Sequence, residues 1–261
     1  MTVAELETFE GRILDCRFSL ADKSSGEREF VEGHIPGSVH LDLARDMAGP
    51  VAAHGGRHPL PAPADFAAAL ARCGVAIDTA VVLYDDSQGL FAARAWWMMR
   101  ALGFREPRVL AGGWKAWTAA GGEIERGAAS ITACAPAPVA ERWPGICGRD
   151  ELSVRQGAGA RLVDAREGPR YRGEIEPIDP VAGHIPGADN RPWKDLVDEH
   201  GVLLAPAALR EVWGDLLEAD ELVVYCGSGV SACVNLMALA ELGHPSAQLY
   251  PGSWSDYCSY L

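Results

Sequence analysis

The chain has 261 residues, of which 48% are apolar, so it can bury one large hydrophobic core or two of ordinary size. Its net charge of −13 argues against a nucleic-acid partner, because nucleic-acid-binding proteins usually carry clustered Lys and Arg. The sequence has neither an N-terminal basic segment before an apolar run nor a stretch of about 18 consecutive apolar residues, so we expect a soluble, cytoplasmic protein that does not engage a membrane.

Two series of predicted elements follow one another along the chain. In the first half, strands, turns and a helix are predicted in "ILDCR" (13–17), "EGHIPGSVHLDL" (32–43), "AVVLYDDSQGLFAARAWWMMRALG" (80–103) and "VLAGGW" (109–114). In the second half, the same features recur in the same order in "LVDAR" (162–166), "AGHIPGADNRPW" (182–193), "ELVVYCGSGVSACVNLMALAELG" (221–243) and "LYPGSW" (249–254). Such self-similarity indicates that one unit has been duplicated.

The alternation of short β-branched runs with helix-length patterns predicts an α/β fold. It is typical of a mainly parallel sheet with helices on both faces. The segment "GAASITACAPAPVAERWPG" is rich in Ala and Pro and has no periodicity, which predicts a connection that joins neither core. We therefore predict an N-terminal domain over residues 1–126, a linker over 127–144 and a C-terminal domain over 145–261.

The two halves differ at one position that bears chemistry. When Tyr84 is aligned with Tyr225, Asp85 in the first half faces Cys226 in the second. Cys226 directly follows a predicted strand, where ligands of open α/β sheets bind. A concave set of backbone N–H donors is predicted from Gly227, Ser228, Gly229, Val230 and Ser231. These donors and the dipole of the following helix favour the thiolate, so Cys226 is the predicted nucleophile.

The remaining cysteines and the duplicated polar residues are predicted to be structural. Seven cysteines without a CxxC pair predict neither a disulfide framework nor a structural zinc site. Six of them are expected to be small buried hydrophobes: Cys16, Cys73, Cys134, Cys147, Cys233 and Cys258. Residues that recur in both halves are expected to serve the fold, because only one half has the cysteine. His34 and His184 are therefore expected to position the turns. Asp15–Arg17 and Asp164–Arg166 are expected to form ion pairs or hydrogen bonds within each domain. The run Trp96–Met99 is predicted to be helix core or an inter-domain contact.

Three chemistries use a cysteine in such a turn. Phosphoester cleavage needs Cys-x5-Arg, and position 232 is Ala. Dinucleotide binding is weakly matched by G-x-G-x-x-A over 227–232, but no acidic residue follows about 20 positions later. Transfer of a sulfur atom through a persulfide needs no arginine within the turn, and it agrees best with this loop.

The motifs quoted above, with "YCGSGVSA" and "YPGSWSDY", resemble the two-domain rhodanese-type sulfurtransferases over nearly the whole chain. This family comprises the thiosulfate and 3-mercaptopyruvate sulfurtransferases. The resemblance implies two tandem rhodanese-like domains, of which the N-terminal one is non-catalytic. It also implies that Cys226 takes sulfur from a small anionic donor and passes it to a thiol or cyanide, and that no cofactor is required.

The resemblance assigns further site residues. In the mercaptopyruvate subgroup, the position of Ser228 helps protonate the departing enolate, although a hydroxyl that only forms the turn is an equal alternative. Arg170 would hold the anionic end of the donor, with Arg172 as a rival. His58 matches a histidine of the family. In the family, an acidic residue belongs to the proposed proton relay of the serine, and its position falls on Ala44, near Asp42 and Asp46. The family's second arginine is missing from "EIEPIDPVAGH".

Donor identity stays open between two anions. The uncharged side chains of the loop slightly favour 3-mercaptopyruvate, because the family's thiosulfate enzymes carry basic residues there. A thiosulfate:cyanide sulfurtransferase is the alternative. A non-catalytic persulfide carrier or sensor, loaded by another protein, is an alternative of a different class.

Overall fold

Residues 1–105 and 107–261 are described by a computed structural model. They fall into two units. Unit 1 comprises Met1–Gly49, Pro61–Pro144 and Glu199–Val202, and unit 2 comprises Pro50–Leu60, Gly145–Asp198 and Leu203–Leu261. The segment 50–60 thus packs with the C-terminal half, and the domain boundaries at 126 and 144 stay predictions.

Unit 1 is an α/β unit built on a parallel sheet. Its elements are α1 (Val3–Leu6), β1 (Arg12–Asp15), α2 (Ser25–Glu32), β2 (Ser38–His40), α3 (Pro63–Arg72), β3 (Val81–Tyr84), α4 (Leu90–Ala101), β4 (Arg108–Val109) and α5 (Gly113–Ala119). The strand order is β2-β1-β3-β4, and every neighbouring pair is parallel. All four residues of β3 are buried, as its continuous apolar sequence predicts for a strand covered on both faces.

Unit 2 repeats this arrangement. Its elements are α6 (Arg149–Gly157), β5 (Arg161–Asp164), α7 (Gly168–Tyr171), β6 (Asp189–Asn190), α8 (Pro206–Trp213), β7 (Leu222–Tyr225), α9 (Ala232–Glu241), β8 (Gln248–Leu249) and α10 (Ser253–Tyr257), with 3-10 helices at Trp193–Leu196, Gly214–Glu218 and Cys258–Tyr260. The strand order β6-β5-β7-β8 is again parallel throughout. The same register pairs Asp15 with Tyr84 and Asp164 with Tyr225. The predicted duplication and α/β fold are confirmed.

The duplicated polar residues join the first strand of each unit to its Gly-His-Ile-Pro-Gly turn. Arg17 Nη2 lies 2.6 Å from Asp15 Oδ2 and donates to the carbonyl of Gly33. Arg166 Nη2 lies 2.7 Å from Asp164 Oδ2 and donates to the carbonyl of Gly183. The predicted ion pairs are confirmed.

The two turn histidines also occupy equivalent positions. His34 Nδ1 lies 2.7 Å from the carbonyl oxygen of Phe30, and its ring stacks on the Phe30 ring. His184 Nδ1 lies 2.7 Å from the carbonyl oxygen of Tyr171 and stacks on Tyr171 in the same way. Both histidines therefore have the structural role predicted for them.

Most of the residues predicted to be core are buried. Trp96–Met99 of α4 are buried, as are five of the six cysteines predicted to be structural. Cys134 differs, because it is half-buried and its thiol approaches the carbonyl of Ala71 at 3.8 Å. The segment between the halves also contributes a core residue, since the buried Trp143 stacks on Trp97 and donates to the carbonyl of Pro61. Across the described residues, no helix combines the length and apolar character needed to span a membrane.

Candidate active site

Cys226 lies immediately after β7 and is 1% exposed. Its N–H donates to Ser253 Oγ at 3.1 Å, and its carbonyl accepts from the N–H of Trp254 at 2.9 Å. Ser253 has a φ of 56°, which residues other than glycine rarely adopt and which is often found at functional sites. The beginning of α10 therefore fixes the backbone of Cys226. Sequence analysis missed Ser253, although it lies within the quoted "YPGSWSDY".

The loop after Cys226 contains backbone donors that no protein group uses. Among the described residues, the N–H groups of Gly227, Ser228, Val230 and Ser231 have no protein acceptor. Gly229 adopts a φ of 75°, and a Cβ there would lie 2.4 Å from the carbonyl oxygen of Pro251, so the close approach of these segments requires glycine. The loop that directly follows Cys226 thus has four N–H groups without an acceptor among the described residues.

The equivalent loop of unit 1 shows what such donors bind. Asp85 directly follows β3 as Cys226 directly follows β7, and its carboxylate lies in this loop. It accepts hydrogen bonds of 2.8–2.9 Å from the N–H groups of Ser87, Gly89, Phe91 and Ala92. Burial raises the pKa of Asp85, and the four N–H bonds act in the opposite direction. In unit 1 a carboxylate of the protein therefore accepts from the loop, whereas in unit 2 four N–H groups of the loop have no acceptor among the described residues.

Two arginines lie beside the residue that follows Cys226. A Cβ built on Gly227 would lie 3.1 Å from Arg57 Nη2 and 3.4 Å from Arg170 Nη1. Neither of these nitrogens has an acceptor in the described part of the chain. Arg172, the rival candidate, instead pairs at the surface with Glu174. Arg57, which sequence analysis missed, supplies a second guanidinium; its adjacency to His58 in "GRHPLP" was the available signal.

Two buried acids hold the arginines. Glu176 accepts from Arg170 at 2.6 and 3.2 Å and from Arg166 at 3.2 Å, and Asp179 binds Arg57 and, at 3.4 Å, Arg170. Both carboxylates are almost fully buried, with exposures of 3% and 2%. Burial disfavours the charged form of Glu176, but its bonds with Arg170 and with backbone N–H groups outweigh burial and lower its pKa. These acids come from the segment in which the family's second arginine is missing.

Ser228 and His58 lie together. His58 Nδ1 is 2.9 Å from Ser228 Oγ, and both residues are buried. The two acids considered for a relay are engaged within unit 1, where Asp42 accepts from the N–H groups of Ala44 and Arg45, and Asp46 pairs with Arg45. The geometry therefore joins the serine and the histidine.

The segment 50–60 contains Arg57 and His58, which contact Asp179 and Ser228 at this site. His54 stacks on Tyr260 with ring centroids 3.9 Å apart, and the N–H of Gly55 donates to Asp256 Oδ1 at 2.7 Å. These contacts fix the chain just before the two site residues. Since the partners lie about 200 positions later, no local pattern in the sequence reveals them.

Comparison with known proteins identifies the family. The sequence profile of the rhodanese-like domain matches residues 3–120 and again residues 149–260. The chain belongs to the rhodanese family. The chain is 46% identical over 261 residues to a probable 3-mercaptopyruvate sulfurtransferase of Pseudomonas aeruginosa, covering 94% of this chain and 88% of that protein. It is 41% identical over 256 residues to a putative thiosulfate sulfurtransferase of Mycobacterium tuberculosis, covering 95% and 87%.

A solved structure supports the same membership. The 3-mercaptopyruvate sulfurtransferase from Leishmania major matches with a TM-score of 0.89 and 31% identity, over 100% of this chain and 74% of that one. The predicted family is therefore confirmed.

Proposed function

We propose that this protein is an enzyme that moves sulfane sulfur from a small anionic donor to a thiol or cyanide through a persulfide on Cys226. The observation that carries the proposal is the contrast between the two loops. One loop binds a carboxylate of the protein itself, while the other directly follows a cysteine and has N–H groups without an acceptor among the described residues. Such donors stabilise a thiolate, and then the outer sulfur of a persulfide.

The reaction has two halves. The Cys226 thiolate attacks the sulfane sulfur of the donor, and a new S–S bond forms as the C–S bond of 3-mercaptopyruvate or the S–S bond of thiosulfate breaks. The electron pair leaves with the enolate of pyruvate, which then takes up a proton, or with sulfite. In the second half, an acceptor thiolate or cyanide attacks the outer sulfur, which restores the Cys226 thiolate.

The proposed donor is 3-mercaptopyruvate. The free nitrogens of Arg57 and Arg170 beside Gly227 suit its carboxylate. We assign to Ser228, hydrogen-bonded to His58, the donation of the proton to the enolate. The relatives named above include enzymes named for each donor.

Thiosulfate is the second candidate donor, and a specific observation favours it. Two guanidinium groups near one loop also suit a dianion, even though the side chains within the loop are uncharged. The alternative function is therefore that of a thiosulfate:cyanide sulfurtransferase.

Steady-state kinetics with each donor and cyanide tests the proposal. We expect continued turnover and a higher kcat/KM with 3-mercaptopyruvate than with thiosulfate. Cys226→Ser should abolish turnover, while Cys134→Ser, a change at a half-buried thiol of unit 1, should leave it unchanged. A higher kcat/KM with thiosulfate would favour the second candidate. A single round of loading followed by a stall would instead indicate a carrier or sensor.

A further inference from the structure

We propose that Asp179 positions Arg57 and Arg170 and, through its charge, makes the site prefer a donor with one negative charge to a donor with two. This inference rests on the proposed function, which it deepens by naming the residue that sets donor selectivity. Asp179 is a positioning residue here, since it acts through the arginines.

The geometry places one carboxylate between two guanidinium groups. Asp179 Oδ1 pairs with Arg57 Nη1, and Asp179 Oδ2 lies 3.4 Å from Arg170 Nη2. Among the described residues, Arg57 Nη2 and Arg170 Nη1 have no acceptor, and they lie 3.1 and 3.4 Å from a Cβ built on Gly227; Arg170 Nη2, which bonds Glu176 and Asp179, lies 3.5 Å from it. Asp179 therefore fixes Arg57 and shares Arg170 with Glu176, and both guanidinium groups lie beside the residue after the nucleophile.

Glu176 cannot replace Asp179 in this role. Its oxygens bind Arg166 and Arg170 and accept from the N–H groups of Ile178 and Asp179. No bond joins Glu176 to Arg57 in the described residues. Arg57 comes from the segment 50–60 and its side chain is 28% exposed; among the described residues, Asp179 is the acid that pairs with its guanidinium.

The charges of this buried cluster cancel. Three guanidinium groups and three carboxylates form one connected set: Arg57, Arg166, Arg170, Asp164, Glu176 and Asp179. Because the three carboxylates and Arg166 are almost fully buried, their charges act on a bound anion more strongly than they would in water. Removing the charge of Asp179 leaves one uncompensated positive charge. A dianion then gains about twice the electrostatic free energy that a monoanion gains, since the energy scales with the product of the charges.

The test compares kcat/KM for thiosulfate and 3-mercaptopyruvate in the full-length protein and in Asp179→Asn. We expect the ratio of thiosulfate to 3-mercaptopyruvate to rise by about tenfold. The KM for 3-mercaptopyruvate should rise more than its kcat falls, because the arginines lose their orientation. Asp179→Glu, which restores the charge, should return the ratio toward that of the wild type.

A matched control removes the same charge from the same segment. Glu174→Gln neutralises an exposed carboxylate that pairs with Arg172 at the surface. Solvent and salt screen this pair, so the donor ratio should stay within about twofold of the wild type. An equal rise of the ratio in Glu174→Gln and Asp179→Asn would overturn the proposal, because net charge alone would then explain it.

Two further measurements keep the inference testable if Asp179→Asn folds poorly or if turnover is absent. The double variant Arg57→Gln with Asp179→Asn removes one charge of each sign, and its donor ratio should stay near that of the wild type. Calorimetric Kd values for pyruvate, a monoanion, and sulfate, a dianion, need no turnover; Asp179→Asn should improve the relative affinity for sulfate. An unchanged or reduced preference for the dianion in a folded Asp179→Asn protein overturns the role of Asp179. Absence of sulfur transfer in the wild type, with the shift in Kd retained, overturns the proposed function alone.

Discussion

At the scale of single residues, the structure distinguishes Arg170 from Arg172, the other arginine considered for holding the donor. Both Arg170 and Arg172 follow the same strand, and the sequence alone ranks them only by resemblance. The structure gives Arg170 buried acidic partners and a free nitrogen next to Gly227, while Arg172 pairs with an exposed glutamate. This difference leads to opposite expectations for the two substitutions.

We predict that Arg170→Ala raises the KM for 3-mercaptopyruvate by roughly tenfold or more and lowers kcat less, because a guanidinium that holds a carboxylate contributes mainly to ground-state binding. Arg172→Ala is the control and should leave KM near its wild-type value. Initial-rate kinetics over a range of donor concentrations gives both constants. An unchanged KM in Arg170→Ala would remove this residue from the site.

Asp85 is the second residue whose role follows from its bonds. Its carboxylate accepts four backbone N–H groups. An asparagine has one acceptor oxygen, and its NH2 group would face N–H donors. We predict that Asp85→Asn lowers the free energy of unfolding by about 2–4 kcal/mol, since each buried donor left without a partner costs about 1–3 kcal/mol.

The adjacent Asp86 provides the comparison for this change. It is half-buried and accepts from the Ser87 hydroxyl at 3.1 Å, so Asp86→Asn should cost less than about 1 kcal/mol. Urea denaturation of both variants measures the difference. Equal stability of Asp85→Asn and the wild type would show that the carboxylate does not hold the loop of unit 1.

At the scale of elements, ion pairs with arginines stabilise the acidic segment after α7. Glu176 has a pKa below its ordinary value of 4.5, because its hydrogen bonds with Arg170 and the backbone outweigh the effect of burial. A lowered folded pKa means that its contribution to stability is complete above about pH 4.5 and is lost as the pH falls through the folded value.

We therefore predict that Glu176→Gln destabilises the protein at pH 7 and flattens the decline of stability below pH 4.5. Glu174→Gln should do neither to a comparable extent, because its pair with Arg172 is exposed and screened. Denaturant titrations at pH 7 and at about pH 4 compare the variants. A stability profile for Glu176→Gln that parallels the wild type at both pH values contradicts the prediction.

Elements also differ in how far their sequences predict them. The strands and the turns around Asp85 and Cys226 could be predicted because apolar runs and glycines act over a few residues. The contacts of the segment 50–60 could not be predicted, because its partners lie up to about 200 positions away in the sequence. Likewise, the sequence around Glu176 and Asp179 indicates only a charged loop. The pairing of Asp179 with Arg57 could not be predicted, because Arg57 lies 122 positions upstream.

At the scale of the whole molecule, two units with the same strand order carry different chemistry. Residues shared by both units, such as the Asp-x-Arg pairs, connect the first strand of each unit to its Gly-His-Ile-Pro-Gly turn. Residues found in one unit, such as Cys226 and Arg170, gather at one loop. Comparison of the two halves therefore points to Cys226, which stays a prediction, but it does not reveal neighbours such as Arg57 and Asp179, whose contacts come from distant parts of the chain.

The measurement that tests this account most directly is the intact mass of the protein after brief treatment with 3-mercaptopyruvate or thiosulfate, followed by peptide mapping. The account predicts one added sulfur atom, located on the peptide that contains Cys226 and removed by cyanide. An unchanged mass, or an added sulfur on a different cysteine with Cys226→Ser still active, would contradict it.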